Sequence, residues 1–450
     1  MGIFYEEEEL AFRLRQGLVD YLKKQGHIQT PQIEQAFRTV PRHLFLPGVE
    51  LQKVYSDIYV ATKLENDIPI SSSSQPAIMA YMLEQLALQP GQRVLEIGAG
   101  TGYNAALMAH IVGDSGHIVT IDIDEDIVAA AQAHLQTAGW PQVQVLCADG
   151  SAGYPALAPY DRIILTVSAD DIAPAWHDQL KLGGKIVLPF KFTQFRSMLY
   201  IPNLLPATDQ VVLNLQNAGD HLESISMRGA GFMPLRGTFA VQTGQLFSLD
   251  PEQKLTLTST RNCTWKTIFR HLKGAYSDRA TNISSTYMDF WGLHTWLILR
   301  EAAYCELAGH AHHRRYKNLP SLAQFADGSI ATYGLCIDDS ISLLQRPWEE
   351  NPEKTDYWVR PFELVIRSFG PGNAPAQQLL MQINAWNEAG RPFQWYNWNL
   401  LQNIKIRVFP LESGYEAGPD ELLSVRKGSR IVFAWRWQKM RSQELDNTSP

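Results

Sequence analysis

Residues 94–103 read V-L-E-I-G-A-G-T-G-Y, a short apolar run that meets three alternating glycines and then a helix-forming stretch, Y-N-A-A-L-M-A-H-I-V. The segment R-V-L-E-I has the length and composition of a buried strand, and alternating glycines allow the backbone conformations that a sharp turn needs. The expected unit is strand, tight turn, helix. Three more apolar runs follow, H-I-V-T-I-D at 117–122, V-Q-V-L-C-A-D at 143–149 and D-R-I-I-L-T at 161–166, and G-G-K-I-V-L-P at 183–189 supplies a fifth. A helical pattern from Ile127 to Leu135 separates the first two of these. Near-continuous apolar strands alternating with helices predict a parallel sheet covered on both faces. The fold class expected is α/β, doubly wound and Rossmann-like, with its ligand crevice beyond the carboxyl ends of the strands.

The glycine spacing narrows the ligand. Gly98, Gly100 and Gly102 form G-x-G-x-G, and Tyr103 stands where a dinucleotide fingerprint requires its last glycine, which disfavours NAD. Glu96 precedes the turn. Asp122 lies twenty residues after Gly102 at the end of the next strand, where a carboxylate can accept from both hydroxyls of a ribose. Asp149 ends the strand after that, in position to face the exocyclic amine of an adenine. Three acids around a glycine turn suit a positively charged ligand without a pyrophosphate. This is the pattern of class I S-adenosylmethionine (SAM) methyltransferases, with Glu96, Gly98, Ala99, Gly100, Gly102, Asp122, Ile123, Asp149, Gly150 and Thr166 as expected cofactor residues.

The totals agree with an enzyme of this kind. A chain of 450 residues suggests two domains, each able to bury a core. A formal charge of -7 and a pI near 6.0 offer no basic field for a nucleic-acid backbone. Cys147, Cys263, Cys305 and Cys336 lie far apart without a C-x-x-C pair, as expected of reduced thiols rather than a disulfide framework or zinc site, and no metal is expected. No apolar run reaches the ~18 residues of a membrane helix, and the acidic opening M-G-I-F-Y-E-E-E-E-L is unlike an export signal, so the expectation is cytoplasmic. The cluster H-A-H-H-R-R at 310–315 lacks companion acids and reads as a solvated helix end.

Along the chain, two helices in the first fifty residues form an expected collar, the second with Thr30 as N-cap and Pro31 at its first position. Another helix runs from Ala77 until Pro90-Gly91 stops it. Composition changes after Gly237: most of the tryptophans follow, including W-Y-N-W at 395–398, with no further glycine-rich turn. The expected division is therefore residues 1–237 as the SAM-binding domain with its collar and 238–450 as a second, α+β domain. In the latter the patterns predict a helix over 290–307, a helix over 376–389 and a strand over 404–409; the polar last ten residues should be frayed.

Several motifs in order resemble the protein-L-isoaspartate O-methyltransferases: V-P-R-H-L-F-L-P at 40–47, S-Q-P at 74–76, L-E-I-G-A-G-T-G-Y at 95–103, D-G at 149–150, A-P-Y-D-R-I-I-L-T at 158–166, L-K-L-G-G-K-I-V-L-P at 180–189 and F-M-P-L at 232–235. The resemblance spans roughly residues 10–237. It implies a carboxyl O-methyltransferase that acts on isoaspartyl or aspartyl residues of a protein or peptide, without nucleic acid or membrane as partner. The family loop usually reads T-I-S-Q-P, and its last serine is the one most often assigned to the active site. That position is Ser74 here, Ser72 stands for the threonine and Ser73 for the isoleucine, so Ser72, Ser73 and Ser74 are the expected catalytic positions. Ser71, Gln75, Val167, Ser168 and Pro234 are expected to contact the acceptor. The preceding A-T-K-L-E-N-D lacks the glycine-histidine turn common in repair enzymes. Together with the S-S-S-S-Q-P loop and the extra C-terminal domain, this resembles family members associated with ribosomally made peptides, in which the tryptophan-rich part would recognise a peptide.

A carboxylate is ionised at pH 7, so its methylation requires aim rather than a strong general base. Serine hydroxyls can hold the far oxygen without forming the tight ion pair that would quench the near one. The ester formed can then close to a succinimide when the next backbone nitrogen expels methanol. Two readings from other classes compete. A peptide-binding scaffold with a vestigial SAM site is opposed by the intact glycines and acids, and an RNA methyltransferase by the missing basic stripe.

Overall fold

The computed structural model describes residues 2–192, 210–240, 245–252, 254–260, 264–286, 289–310, 318–324, 329–346, 360–393 and 404–435. Cys263, the 395–398 tryptophan segment, the 311–315 part of the histidine cluster and the last ten residues lie outside these ranges.

The collar is built from helices α1 (Gly2–Lys24), α2 (Pro31–Thr39) and α3 (Leu51–Val54). Pro31 occupies the first turn of α2 as expected, but Thr30 gives no side-chain cap; its N–H donates instead to Glu84 Oε1 at 2.8 Å. Glu84 belongs to α4 (Pro76–Leu86), which ends before Pro90 because Ala87 turns into the left-handed region. Next come β1 (Val60–Glu65) and β2 (Ile68–Ser73), a two-stranded antiparallel hairpin.

The expected parallel strands are all present: β3 (Arg93–Ile97), β4 (His117–Asp122), β5 (Gln144–Cys147), β6 (Tyr160–Leu165) and β7 (Leu180–Lys191), with α5 (Tyr103–Val112), α6 (Glu125–Ala138) and α7 (Pro174–Asp178) between them. They run in the spatial order β5-β4-β3-β6-β7. The chain reverses its direction of winding between β3 and β6, so the crevice opens where their carboxyl ends diverge. Apolar side chains fill both sheet faces, and Trp176 of α7 is fully buried with its indole N–H donating to the Gly150 carbonyl at 2.9 Å.

The other half of this sheet is antiparallel. β8 (Gln210–Asn217) and β9 (Leu222–Gly229) extend it beyond β7. Between β9 and the last strands lies a second sheet made of β10 (Gln245–Asp250), β11 (Leu255–Ser259), β12 (Tyr276–Ser285), β13 (Tyr304–His310), β14 (Ala323–Gln324), β15 (Ser329–Ile337), β16 (Ser340–Gln345) and β17 (Phe362–Phe369), with helices α8 (Trp265–Leu272), α9 (Phe290–Arg300) and α10 (Ala374–Glu388). The helix expected over 290–307 is thus half helix and half strand. Tyr304, Cys305 and Leu307 are buried in β13, between β11 and β15, where a strand covered on both sides is as apolar as a buried helix.

β18 (Ile404–Pro410), β19 (Glu421–Val425) and β20 (Ser429–Trp435) then return to the first sheet, with Arg407 and Val408 paired to Glu223 and Leu222. A cut at 237/238 therefore does not follow the sheets. The ten-stranded sheet takes its last three strands from the C-terminal part, and the second sheet is an excursion from it. Trp296, Trp386 and Trp435 are buried, and the first two donate to Gln382 and to the Pro392 carbonyl, so these three pack the core.

Candidate active site

A cavity of about 1000 Å³ lies at the switch point and is lined by the glycine turn, β2, the residues following β6, and the 228–236 segment. In the turn, Gly98, Gly100 and Gly102 have φ of 99°, 52° and 86°. A Cβ on Gly98 would stand 2.4 Å from Thr166 Oγ1, whose hydroxyl donates to the Gly98 carbonyl at 2.6 Å. The carboxyl ends of β3 and β6 are thereby held edge to edge around a space that a side chain would fill. Asp122 sits at its rim: Oδ2 accepts from the Gly100 N–H at 3.1 Å and Oδ1 from the Ile123 N–H at 2.9 Å. Oδ1 also accepts a longer bond from the Asp124 N–H at 3.4 Å, and since a carboxylate has about four acceptor positions, capacity remains, chiefly on Oδ2, for a ligand hydroxyl. A bare cradle with an acceptor at its rim fits SAM.

Glu96 does not line the cavity. It is wholly buried behind Asn104, which does, and its Oε1 accepts from Asn104 Nδ2 at 2.7 Å. Burial raises the Glu96 carboxyl to about 7, against the opposing hydrogen bond from Asn104. Its folded value then lies above that of the unfolded chain. Between the ordinary 4.5 and about 7 the native state keeps a proton that the unfolded chain has released, so stability falls as pH rises through this window and levels off above it. Glu96→Gln should remove about 3 kcal/mol of this fall, measured by urea unfolding of both proteins at pH 5 and pH 8. Parallel pH profiles for the two proteins would contradict this.

Asp149 ends its strand beside the cavity and is held by backbone donors. It is not part of the lining, whereas its neighbours Ala148 and Gly150 are. Its Oδ2 accepts from the Thr238 N–H at 2.7 Å and its Oδ1 from the Ser151 N–H at 2.9 Å. These bonds outweigh partial burial and hold the carboxyl down at about 2. The physical reason is the strap 236–238, which runs over this corner. Its Arg236 forks onto Asp124 at 3.1 and 2.8 Å, and Lys63 of the hairpin reaches Asp124 at 3.2 Å and Asp126 at 2.8 Å.

The hairpin side of the cavity contains all four serines as lining residues, and their hydroxyls differ in their bonding. The segment 71–73 is strand rather than loop, so side chains alternate: Ser71 and Ser73 are buried, Ser72 and Ser74 half-buried. Ser71 Oγ accepts from Thr62 Oγ1 at 3.1 Å, and Ser73 Oγ from Arg42 Nη2 at 3.3 Å. Among the described residues no hydrogen bond engages the hydroxyls of Ser72 and Ser74, and both residues line the cavity. The hairpin touches the cofactor side as well, because a Cβ on Gly100 would meet the Ser72 carbonyl oxygen at 3.4 Å. Gln75 also lines the cavity, and its amide donates to Asp57 at 3.0 Å.

Opposite the hairpin, Val167 and Ser168 follow β6. Ser168 forms a parallel bridge with Pro234, its N–H donating to the Met233 carbonyl at 2.7 Å and its carbonyl accepting from Leu235 at 2.8 Å. Its buried hydroxyl has no hydrogen-bond partner among the described residues, and the residue belongs to the lining. Sequence reasoning missed the support beneath this wall. Asp171 accepts from Gly428 N–H and Ser429 Oγ, each at 2.6 Å, and Arg426 donates to the carbonyls of Lys191 and Phe192. The β19–β20 turn thus buttresses the acceptor wall. Lys191, Arg228, Asn104 and Gln210 are further lining residues that no local motif announces.

Among the described residues no helix is long and apolar enough to cross a membrane. In comparisons with known proteins, the family described as "Protein-L-isoaspartate(D-aspartate) O-methyltransferase (PCMT)" matches residues 13–203. A protein-L-isoaspartate O-methyltransferase of Hyperthermus butylicus is 39% identical over 200 residues, which is 42% of this chain and 80% of that protein. Another, of Methanothermobacter thermautotrophicus, is 32% identical over 226 residues, 50% of this chain and 95% of that protein. A solved structure of a protein-L-isoaspartate O-methyltransferase aligns over 93% of this chain and 98% of its own at 21% identity, with a TM-score of 0.48.

Proposed function

The chain belongs to the protein-L-isoaspartate O-methyltransferase family of SAM-dependent enzymes, and from that premise we propose that it methylates a carboxylate of an isoaspartyl or aspartyl residue within a polypeptide. One observation carries this reading: Ser72, Ser74 and Ser168, whose hydroxyls have no hydrogen-bond partner among the described residues, line the same cavity as the glycine cradle. When bound, SAM supplies an electrophilic methyl group on a sulfonium centre. Gly98, Gly100 and Asp122 would hold it, with the apolar Ile123 at the rim.

The chain's own part is positioning. The acceptor arrives already ionised, so no residue has to remove a proton. Ser72 and Ser74 donate to one carboxylate oxygen from the hairpin, Ser168 donates from the opposite wall, and the second oxygen is left to react. Holding a nucleophile near 3 Å from its target in the right direction is worth several kcal/mol of barrier. The neutral ester then leaves. Attack by the following backbone nitrogen on the ester carbonyl, with loss of methanol, closes a succinimide without further help from the protein.

Acceptor choice has two forms, repair of isoaspartate or modification of one aspartate in a ribosomally made peptide. The second draws on the β19–β20 turn, which supports the wall carrying Ser168 with residues outside the 13–203 stretch that matches the family. Methyl-labelled SAM offered with an isoaspartyl peptide and its aspartyl twin separates them, with base-released methanol as readout. Preference for the isoaspartyl peptide indicates repair, and preference for aspartate indicates peptide modification. No base-labile methyl on either would contradict the proposal.

A further inference from the structure

The motif P-R-H-L-F places Arg42 in a position that the chemistry above leaves unused. The residue has no exposed surface, yet among the described residues it makes no ion pair. Its guanidinium donates to neutral acceptors only: the carbonyls of Val54 at 2.8 Å, Ser56 at 3.4 Å, Ile58 at 3.4 Å and Ser74 at 3.0 Å, and the Ser73 hydroxyl at 3.3 Å. The guanidinium carbon stands 5.9 Å from the ring centre of Tyr103, the residue that follows the glycine turn. The acid nearest in the sequence of the loop, Asp57, is committed to the Ala77 N–H at 2.8 Å and to Gln75.

A buried guanidinium without a counter-ion is unfavourable, and an apolar side chain of similar size would fill the space at less cost. What arginine adds is a fixed fork and a permanent charge. The fork ties the loop 54–58 to the residues Ser73 and Ser74, so the hydroxyl-bearing strand cannot retreat from the cavity. The charge lies behind that strand, shielded from water, and is offset only in part by the Asp57 carboxylate, which makes no hydrogen bond to it. In such surroundings it acts on whatever sits in front of the serines far more strongly than a surface charge would.

Building on the carboxyl-methylation reading, we propose that Arg42 is the positioning residue of the acceptor half: it fixes Ser73 and Ser74 and supplies the buried positive charge that makes the serine wall select a carboxylate over a neutral group. A further consequence is directional. The anionic acceptor is attracted, whereas the methyl ester formed from it is neutral and loses that attraction, which favours departure of product.

The test uses full-length wild type, Arg42→Met and Arg42→Lys. SAM dissociation constants are measured by calorimetry, and kcat and KM with whichever carboxylate peptide the wild type methylates. Inhibition by that peptide's carboxamide analogue gives the selectivity for charge. Arg42→Met should leave SAM affinity within about threefold, raise KM for the acceptor roughly tenfold and bring the binding of carboxylate and carboxamide peptides close together. Arg42→Lys keeps the charge without the fork, so it should preserve most of the selectivity while lowering kcat. Should Arg42→Met fail to fold, the lysine variant decides: wild-type kcat, or selectivity lost along with kcat, overturns the proposal. So does an Arg42→Met enzyme with unchanged acceptor KM and selectivity. A wild type that methylates no carboxylate peptide overturns the proposed function itself, and this inference with it.

Discussion

Gly98→Ala is expected to weaken SAM binding by at least ~100-fold. Two costs coincide at this position. Its φ of 99° is one that residues with a Cβ rarely adopt, which alone amounts to ~1–3 kcal/mol. The added methyl would also stand 2.4 Å from Thr166 Oγ1 and 3.3 Å from Val167 Cγ1. Thr166 cannot simply rotate away, because its hydroxyl donates to the Gly98 carbonyl and its N–H donates to the Ile97 carbonyl at 3.0 Å. The strain must therefore open the junction of β3 and β6, which is where the cofactor cradle and the acceptor wall meet. Calorimetric titration with SAM reads the effect. Gly17→Ala is the control, since a Cβ there meets nothing within 4 Å. Binding by Gly98→Ala within threefold of wild type would show that the cradle is not where SAM sits.

The parts of the fold visible in the sequence are those with local signals. β3 and β4 lie where their apolar runs do, because a strand buried on both faces is apolar at most of its positions. The ladder between Arg407 and Glu223 has no such signal. Pairing residues so distant in sequence depends on the folded surface each strand presents, and no periodicity within 404–435 says which sheet will receive it. For the same reason the Asp171 buttress was invisible: its donors, Gly428 and Ser429, come from the far end of the chain.

The site shows the same division. The glycine turn and Asp122 are where their spacing implies. The bond from Thr238 to Asp149 was not legible, because Thr238 lies outside any motif. The serines are the instructive case. A run of four identical residues has no alternation to read, so a strand and a loop look alike and the facing of each hydroxyl is undefined. Pairing with β1, from Val60 opposite Ser73 to Glu65 opposite Ile68, sets the alternation in which Ser71 and Ser73 are buried and bonded while Ser72 and Ser74 are half-buried, although all four residues line the cavity.

That sorting gives the second large effect. Ser74 carries a hydroxyl with no hydrogen-bond partner among the described residues, on a backbone fixed by the Arg42 bond to its carbonyl. Removing the hydroxyl should leave the backbone, the hairpin and the cradle in place. What is lost is a donor that holds the acceptor oxygen, and misplacing a reacting group by an ångström can cost on the order of 100-fold in rate. Ser72, on the same side, retains part of the grip. The decisive experiment is therefore to determine kcat for carboxyl methylation and the SAM dissociation constant on one preparation of Ser74→Ala. A kcat lower by roughly 100-fold with SAM affinity changed less than about twofold is the predicted result. An unaltered kcat, or equal losses in turnover and SAM affinity, would contradict a site in which uncharged hydroxyls aim a carboxylate at the methyl donor.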